Sequence, residues 1–262
     1  MSRFTGYTVC GVLLGLSMVG AAGAAPLFEP VTVVSRAAAG SEPVLGALVA
    51  VPSSATVQEV RVDAAAVAQP RLEFELLGTP VQAVRTRSEA LPDGGSIWYG
   101  QLRSSSPSAR LDRVEQNDPG NSVILVRSGN TLTGSIRKDG TLYRLRPLSD
   151  GRHALVEVDE SRMPADHPAD YNQLPAIPMP ANDRLGIAAA SSGTPATIRV
   201  LVVATNGAVA AYSGNMQSLV QLAVAESNQG YINSNVGITL QLAGYETTSY
   251  TESSSFSTDL AR

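Results

Sequence analysis

Thiols, imidazoles and lysines are almost missing from this chain, and each shortage removes a class of chemistry. Cys10 is the single cysteine in 262 residues. It falls within an N-terminal segment that reads as a secretory leader, so the mature chain has no thiol and can form neither disulfides nor thiolate metal sites. Histidine occurs twice, at His153 and His167, in different regions and without a second His at ligand spacing. A helical zinc motif needs two imidazoles on one face with a carboxylate between them, and no His-Glu-x-x-His string is present. A His-dependent serine triad would have to draw on those same two histidines, and no Gly-x-Ser-x-Gly elbow occurs. A Gly-Lys-Ser/Thr loop and a strand-bound Gly-x-Gly-x-x-Gly are also absent, so nucleotide binding has no support. With 19 basic and 23 acidic residues, Lys138 as sole lysine and no basic stripe, the chain has no nucleic-acid footprint. Any two carboxylates could converge as a glycosidase pair, but solvated surface charge is the plainer reading.

The N-terminus carries the marks of export. Arg3 supplies a positive start, Val12 to Ala22 is apolar or small, and Ala22-Gly-Ala24 gives the small-x-small pattern. Cleavage is expected between Ala24 and Ala25, since Pro26 directly after the bond would make a poor substrate. A membrane anchor is the competing reading, but the run falls short of the roughly 20 residues of a span and has no charged stop. The residues before Cys10 do not suit a lipoprotein signal. The expected destination is extracellular, through the periplasm, with no membrane attachment once the leader is gone.

Beyond the leader, composition divides the chain in three. Residues 25–160 are a run of short β-like segments: Gly95–Leu102, Asn121–Arg127, Thr131–Arg137, Thr141–Arg146 and His153–Asp159. Pro92-Asp-Gly-Gly95, Ser128-Gly-Asn130, Lys138-Asp-Gly140 and Ser149-Asp-Gly151 separate them, and such pairs supply positive φ for tight hairpins. That spacing predicts an antiparallel meander. Tyr143 and Leu145 alternate with Arg144 and Arg146, so one face should be buried and the other wet. Leu45–Val51 is expected as a strand, followed by a short helix or loop carrying Val57, Val60 and Val67, and Arg71–Leu77 as a strand ending at Gly78. Trp98-Tyr99 belongs to the β core, with a ligand-stacking platform as the sharper alternative.

Residues 161–197 form a linker, because Pro164, Pro168, Pro175, Pro178, Pro180 and Pro195 deny helix and interior strand. His167 sits here with Asp166 and Asp170 and reads as solvated, while His153 reads as a strand-start residue.

From residue 198 the pattern changes. Ile198–Ala204 is β-branched and almost unbroken in apolarity, as for a strand covered on both faces. Asn215 is placed to cap a helix whose stripe is Met216, Leu219, Val220, Ala223 and Ser227, ending at Gly230 or at Asn233-Ser-Asn235. Ile238, Leu240 and Leu242 alternate with polar or small residues as a second, parallel strand joined by a right-handed crossover. Two strands and one helix cannot bury their own faces. Ser257–Arg262 reads as a helix start with nothing behind it, hence as truncation.

The order leader, cysteine-free β region, Pro-rich linker and strand–helix–strand resembles secreted metzincin zymogens. It is most similar to the bacterial peptidyl-Asp metalloendopeptidase family, with the reprolysin-like proteases as broader relatives. Ile198–Ala204, Leu219–Asn228 and Asn235–Leu242 carry the likeness, together with Ser96–Gly100, Asn121–Val126, Leu132–Ile136 and Tyr143–Pro147 in the first region. The resemblance implies an α+β architecture: a β-rich antiparallel pro-domain at 25–160, then an incomplete metzincin-type α/β catalytic domain over 198–262. It also implies a zinc endopeptidase of the His-Glu-x-x-His-x-x-Gly-x-x-His type, acting on protein or peptide substrates, on the amino side of Asp in peptidyl-Asp members. The pro-domain's partner would be its own catalytic domain. None of those ligands maps onto this chain, so no catalytic, cofactor-binding or metal residue is assigned and no zinc is expected to bind it. A complete secreted β-rich binding or inhibitor module is the competing reading.

Overall fold

Alternating side chains and Asp-Gly turns build most of the molecule. The computed structural model describes residues 25–34, 43–103, 118–148, 151–164, 195–253, 255 and 258–259. The expected leader, His167, most of the linker and most of the expected C-terminal helix start lie outside those residues.

Seven consecutive strands run as a meander: β4 (Arg71–Leu76), β5 (Thr79–Ala90), β6 (Ser96–Leu102), β7 (Ser122–Ser128), β8 (Thr131–Lys138), β9 (Thr141–Pro147) and β10 (Arg152–Val158). Each pairs antiparallel with the next. The expected strands are therefore present, and Asp139 (φ 50°) with Gly140 (φ 86°) makes the positive-φ hairpin that their sequence asked for. Leu77 (φ 47°) and Gly78 (φ 83°) make a second one, which the sequence reading marked only as a strand end.

The stretch 43–69 is the reverse of its expectation. Pro43–Ala50 is a helix, α1, and the strand β3 lies later, at Ser54–Val62. A short apolar run has no period of its own to distinguish the two, and Pro43 at the first helical position tips it. Leu45 and Leu48, one turn apart, lie in a cluster with Val57, Leu142, Ala154 and Val156 on the outside of the sheet. A 3₁₀ turn over Ala64–Ala68 follows, capped by Asp63, whose carboxylate accepts from the Ala65 amide at 2.9 Å.

Two unforeseen strands close the sheet. β1 (Ala25–Pro26) pairs parallel with β4, and β2 (Phe28–Val33) pairs antiparallel with β3, which itself pairs with β10. Leu27 between them donates to Glu73 and accepts from Asp63. One continuous stretch thus joins both rims, and the sheet curls into a near-barrel with few free edges. Inside lie Leu27, Phe28, Leu72, Phe74, Trp98, Leu125, Leu132, Ile136, Leu145 and Leu155. Trp98 is 1% exposed and donates its indole N–H to the Gln69 carbonyl at 3.1 Å. Its ring lies across Gly100, where an added Cβ would come within 2.2 Å of it, so the strand needs glycine there.

The second sheet has two strands. β11 (Ala196–Thr205) and β12 (Ile238–Thr248) pair parallel, with α2 (Asn206–Ala211) and α3 (Met216–Asn233) between them. Asn215 caps α3 as expected, and the helix ends at Asn233 rather than Gly230. Two expectations fail here. β11 is not covered on both faces: Leu201 is 62% exposed and Val203 51%. The buried face of α3 is also not the stripe of Met216, Leu219, Val220, Ala223 and Ser227; it is Ser218, Gln221, Leu222 and Ala225. A helix lying on the barrel, as well as on its own strands, is turned by whichever contact is better packed.

Candidate functional site

The seam between the barrel and α3 gathers several long-range side-chain contacts. From the barrel, β6 and β7 present Ile97, Tyr99, Ile124 and Val126 outward; Leu222 and Ala225 of α3 complete that cluster. The alternation of the strands explains the arrangement, since Trp98 and Leu125 point inward from the same two strands. Trp98-Tyr99 therefore does belong to the core, one residue on each side of the sheet wall.

At one end of the seam the turn before α3 is pinned by four contacts. The Tyr212 and Thr133 hydroxyls lie 3.3 Å apart, and the Arg146 guanidinium stands 4.8 Å from the centre of the Tyr212 ring. Ser213 donates its hydroxyl to the Pro147 carbonyl, and Asn215 donates to the Ser128 hydroxyl at 3.2 Å. Gly214 passes so close to Pro147 that an added Cβ would sit 2.8 Å from its ring. Of these residues, Arg146 was legible as part of an alternating strand, Thr133 as part of an expected strand and Asn215 as a cap; nothing in the sequence marked Tyr212 or Ser213.

At the other end lies a crevice of about 220 Å³ lined by Thr86, Arg87, Tyr99, Gln101, Gln229 and Ile232. Arg87 lies over the Tyr99 ring at 3.6 Å and pairs with Glu89 at 3.4 Å. Burial, and then the charge of Glu89, push the Tyr99 phenol up to about 12, with Arg87 opposing. The Arg87 Nη2 is buried without a protein acceptor. Such a crevice can receive a water or a carboxylate oxygen.

His153 lies on β10, second in the strand, and is fully buried. Its Nε2 accepts from the Leu132 amide at 3.1 Å, so the neutral ring carries its proton on Nδ1. The residue works as a structural acceptor where β9 runs out at Pro147. Burial pushes its pKa down to about 4, and the Gly151 backbone nearby opposes the shift without reversing it. Among the described residues no three of His, Cys, Asp or Glu converge as a metal site. Ala24 and the expected leader before it lie outside the described residues, while Ala25 begins β1.

Comparison with known proteins agrees with the resemblance read from the sequence. Residues 194–261 match the family Reprolysin_5, Metallo-peptidase family M12. A protein of Stenotrophomonas maltophilia strain R551-3, named peptidyl-Asp metalloendopeptidase, is 78% identical over 265 residues, covering all of this chain and 63% of its own length. A like-named protein of strain K279a is 76% identical with the same coverage. One from Xanthomonas campestris pv. campestris is 56% identical over 95% of this chain and 61% of its own length. The chain thus spans somewhat under two thirds of the length of these three relatives.

Proposed function

We propose that this chain is the N-terminal part of a secreted zinc metalloendopeptidase precursor. In this reading residues 1–24 are the leader, 25–160 a pro-domain, 161–197 a linker open to maturation cleavage, and 198–262 the start of the catalytic domain. The similarity along the whole chain to peptidyl-Asp metalloendopeptidases, combined with coverage of 63% of the length of the two Stenotrophomonas maltophilia proteins, carries this reading. The bare apolar face of β11 supports it, because a sheet built to be a domain core needs further elements to cover Leu201 and Val203.

A metallopeptidase requires a metal, and the described residues do not fit as its holder. His153 has its one lone pair committed to Leu132, and among the described residues no group of three His, Cys, Asp or Glu could hold a metal ion. No catalytic step is therefore assigned to this chain. Its own contribution is to hold the first strand, helix and second strand of the catalytic unit against the barrel. Substrates of the longer protein would be proteins or peptides, with cleavage on the amino side of Asp.

The test is to express the chain as it stands beside the same chain extended to the relatives' length, each secreted from its own leader. Only the longer form should cleave an Asp-containing peptide, retain equimolar zinc in equilibrium dialysis, and yield a pro-form whose N-terminus is Ala25. Peptidase activity or tight equimolar zinc in the short chain would overturn the assignment. The competing reading, a complete binding module, draws support from the barrel's closed core, but gives no role to the exposed face of β11.

A further inference from the structure

We propose that the crevice between strands β5 to β7 and the end of α3 is a binding site for a small carboxylate with a short aliphatic body. The Arg87 guanidinium takes the carboxylate and Ile232 covers the aliphatic part. The site lies beyond the peptidase assignment and stands without it.

Four observations carry it. First, the register of β5 on β6 slips between Arg85 and Arg87. Such bulges re-aim side chains. Here Thr86 turns its hydroxyl back to donate to the Tyr99 carbonyl at 3.2 Å, and Arg87 stacks over the Tyr99 ring at 3.6 Å. The stack sets the guanidinium on the crevice wall.

Second, the neighbouring donors are spent within the protein. The Gln101 amide, oriented to satisfy both its ends, donates to the Asp118 and Asn121 carbonyls at 3.0 and 2.8 Å. Gln229 donates to Asn233 at 2.9 Å, and Ser122 to the Pro119 carbonyl at 3.3 Å. Arg87 Nη2, by contrast, is closed off from water without a protein acceptor among the described residues. A buried donor in that state gains from any oxygen brought to it. The Arg87 side chain as a whole is 36% exposed, so rotation about its terminal bonds carries Nη2 to an oxygen entering the crevice.

Third, Arg87 is the only charged residue of the lining. A charge-assisted bond to an ionised oxygen is therefore preferred over a neutral one. Glu89 holds Nη1 at 3.4 Å from outside the lining and is 48% exposed, so water screens its charge. Burial keeps the Tyr99 phenol protonated, and no second anion faces the ligand. Fourth, Ile124 and Ile232 add an apolar wall, and Ile232 is 49% exposed, a surface that a short alkyl chain would cover. The volume of about 220 Å³ equals the liquid share of on the order of seven waters, and falls below that of drug-sized pockets. It suits a short acid or the end of a peptide.

The experiment titrates sodium butanoate into the isotope-labelled full chain and follows amide shifts of Gly100, Ser122 and Gln229 by NMR, with sodium chloride and butyramide as controls. Butanoate should give saturable shifts with a midpoint on the order of 1–10 mM, as expected for so small a ligand. Butyramide should bind about tenfold more weakly or worse. Arg87→Gln should raise the butanoate midpoint about tenfold or more. Gln229→Glu, a change on the helix that leaves the barrel untouched, should raise it several-fold by repulsion. Ile232→Ala should weaken butanoate and leave acetate unchanged. Trp98 fluorescence should stay constant in all three variants, showing that each is folded. Trialanine and its C-terminal amide distinguish the sources: competition by the free acid alone names a chain terminus, and no competition by either names a free short-chain acid. No saturable shift up to about 100 mM would mean that Nη2 takes only water, and the site would be overturned. Equal binding of butyramide, or a butanoate midpoint unmoved in both Arg87→Gln and Gln229→Glu, would overturn it as well.

Discussion

The barrel and the terminal strand–helix–strand are made of similar residues and end in opposite states. In the barrel, Leu72, Leu125, Leu132, Leu145 and Leu155 are fully buried; in β11, Ile198, Leu201 and Val203 stand in solvent. The difference lies in closure rather than hydrophobicity. The barrel recruits the stretch 25–33 to join its rims and α1 to cover part of its outside, whereas β11 and β12 have, among the described residues, only the short α2 and α3 beside them. An apolar strand is buried where enough elements arrive to cover it, and among the described residues the second unit has fewer of them.

Four measurements would break or sharpen that comparison. The largest effect is expected from Trp98→Ala, which should cost the barrel about 3–5 kcal/mol by leaving a cavity and an orphaned Gln69 carbonyl. Denaturant melts would show it, and a loss below ~1 kcal/mol would mean the interior is not the closed core described.

The second is acid sensitivity. His153 has a folded pKa of about 4 against an ordinary 6.5, so between these values the unfolded chain binds a proton that the folded chain refuses. Stability from this residue is complete above pH 6.5 and drains as pH falls through 6.5 towards 4, by roughly 3 kcal/mol in all. His153→Gln keeps an acceptor for Leu132 without titrating and should flatten that window. Melts of the two proteins across pH 4 to 7 that run parallel would remove the argument.

Third, Asn228→Ala should cost about 1–3 kcal/mol locally, since it deletes both bonds to Leu240. Hydrogen exchange should speed up in β12 and not in β4 to β10; a global change would show that the two units unfold together. The smallest effect belongs to Leu201→Thr and Val203→Thr, each within about 0.5 kcal/mol in this chain because the side chains are already in water. The same changes in the extended protein should each cost about 1–3 kcal/mol if its further elements cover them. Equal effects in both would undo the reading of β11 as an unfinished core strand.

The meander was legible because a period of two and Asp-Gly turns are local properties; Lys138-Asp-Gly140 names its hairpin without reference to anything distant. Asn215 was legible for the same reason, as a side chain that caps amides three residues on. The helix at Pro43–Ala50 was not, because its eight residues are apolar throughout and no face declares itself. The face of α3 was not either. Its periodic stripe is compatible with more than one rotation, and Ser218 and Gln221 gave no sign that they would be buried. The tether of Tyr212, Ser213 and Asn215 joins positions 66 to 87 residues apart, beyond what any local pattern can hold.

By itself, then, the sequence determined the strands of the meander, their turns, the near absence of thiols and imidazoles, and the likeness to peptidyl-Asp metalloendopeptidases. Those depend on neighbours a few residues away, or on which residue types are present at all. Only the tertiary structure decided that residues 25–33 close the sheet, that His153 is consumed as an acceptor for Leu132, and which side of α3 meets the barrel. Each of those is a competition among distant surfaces for the same apolar cover or the same hydrogen-bonding atom, and it is settled by what packs best after the chain has come together.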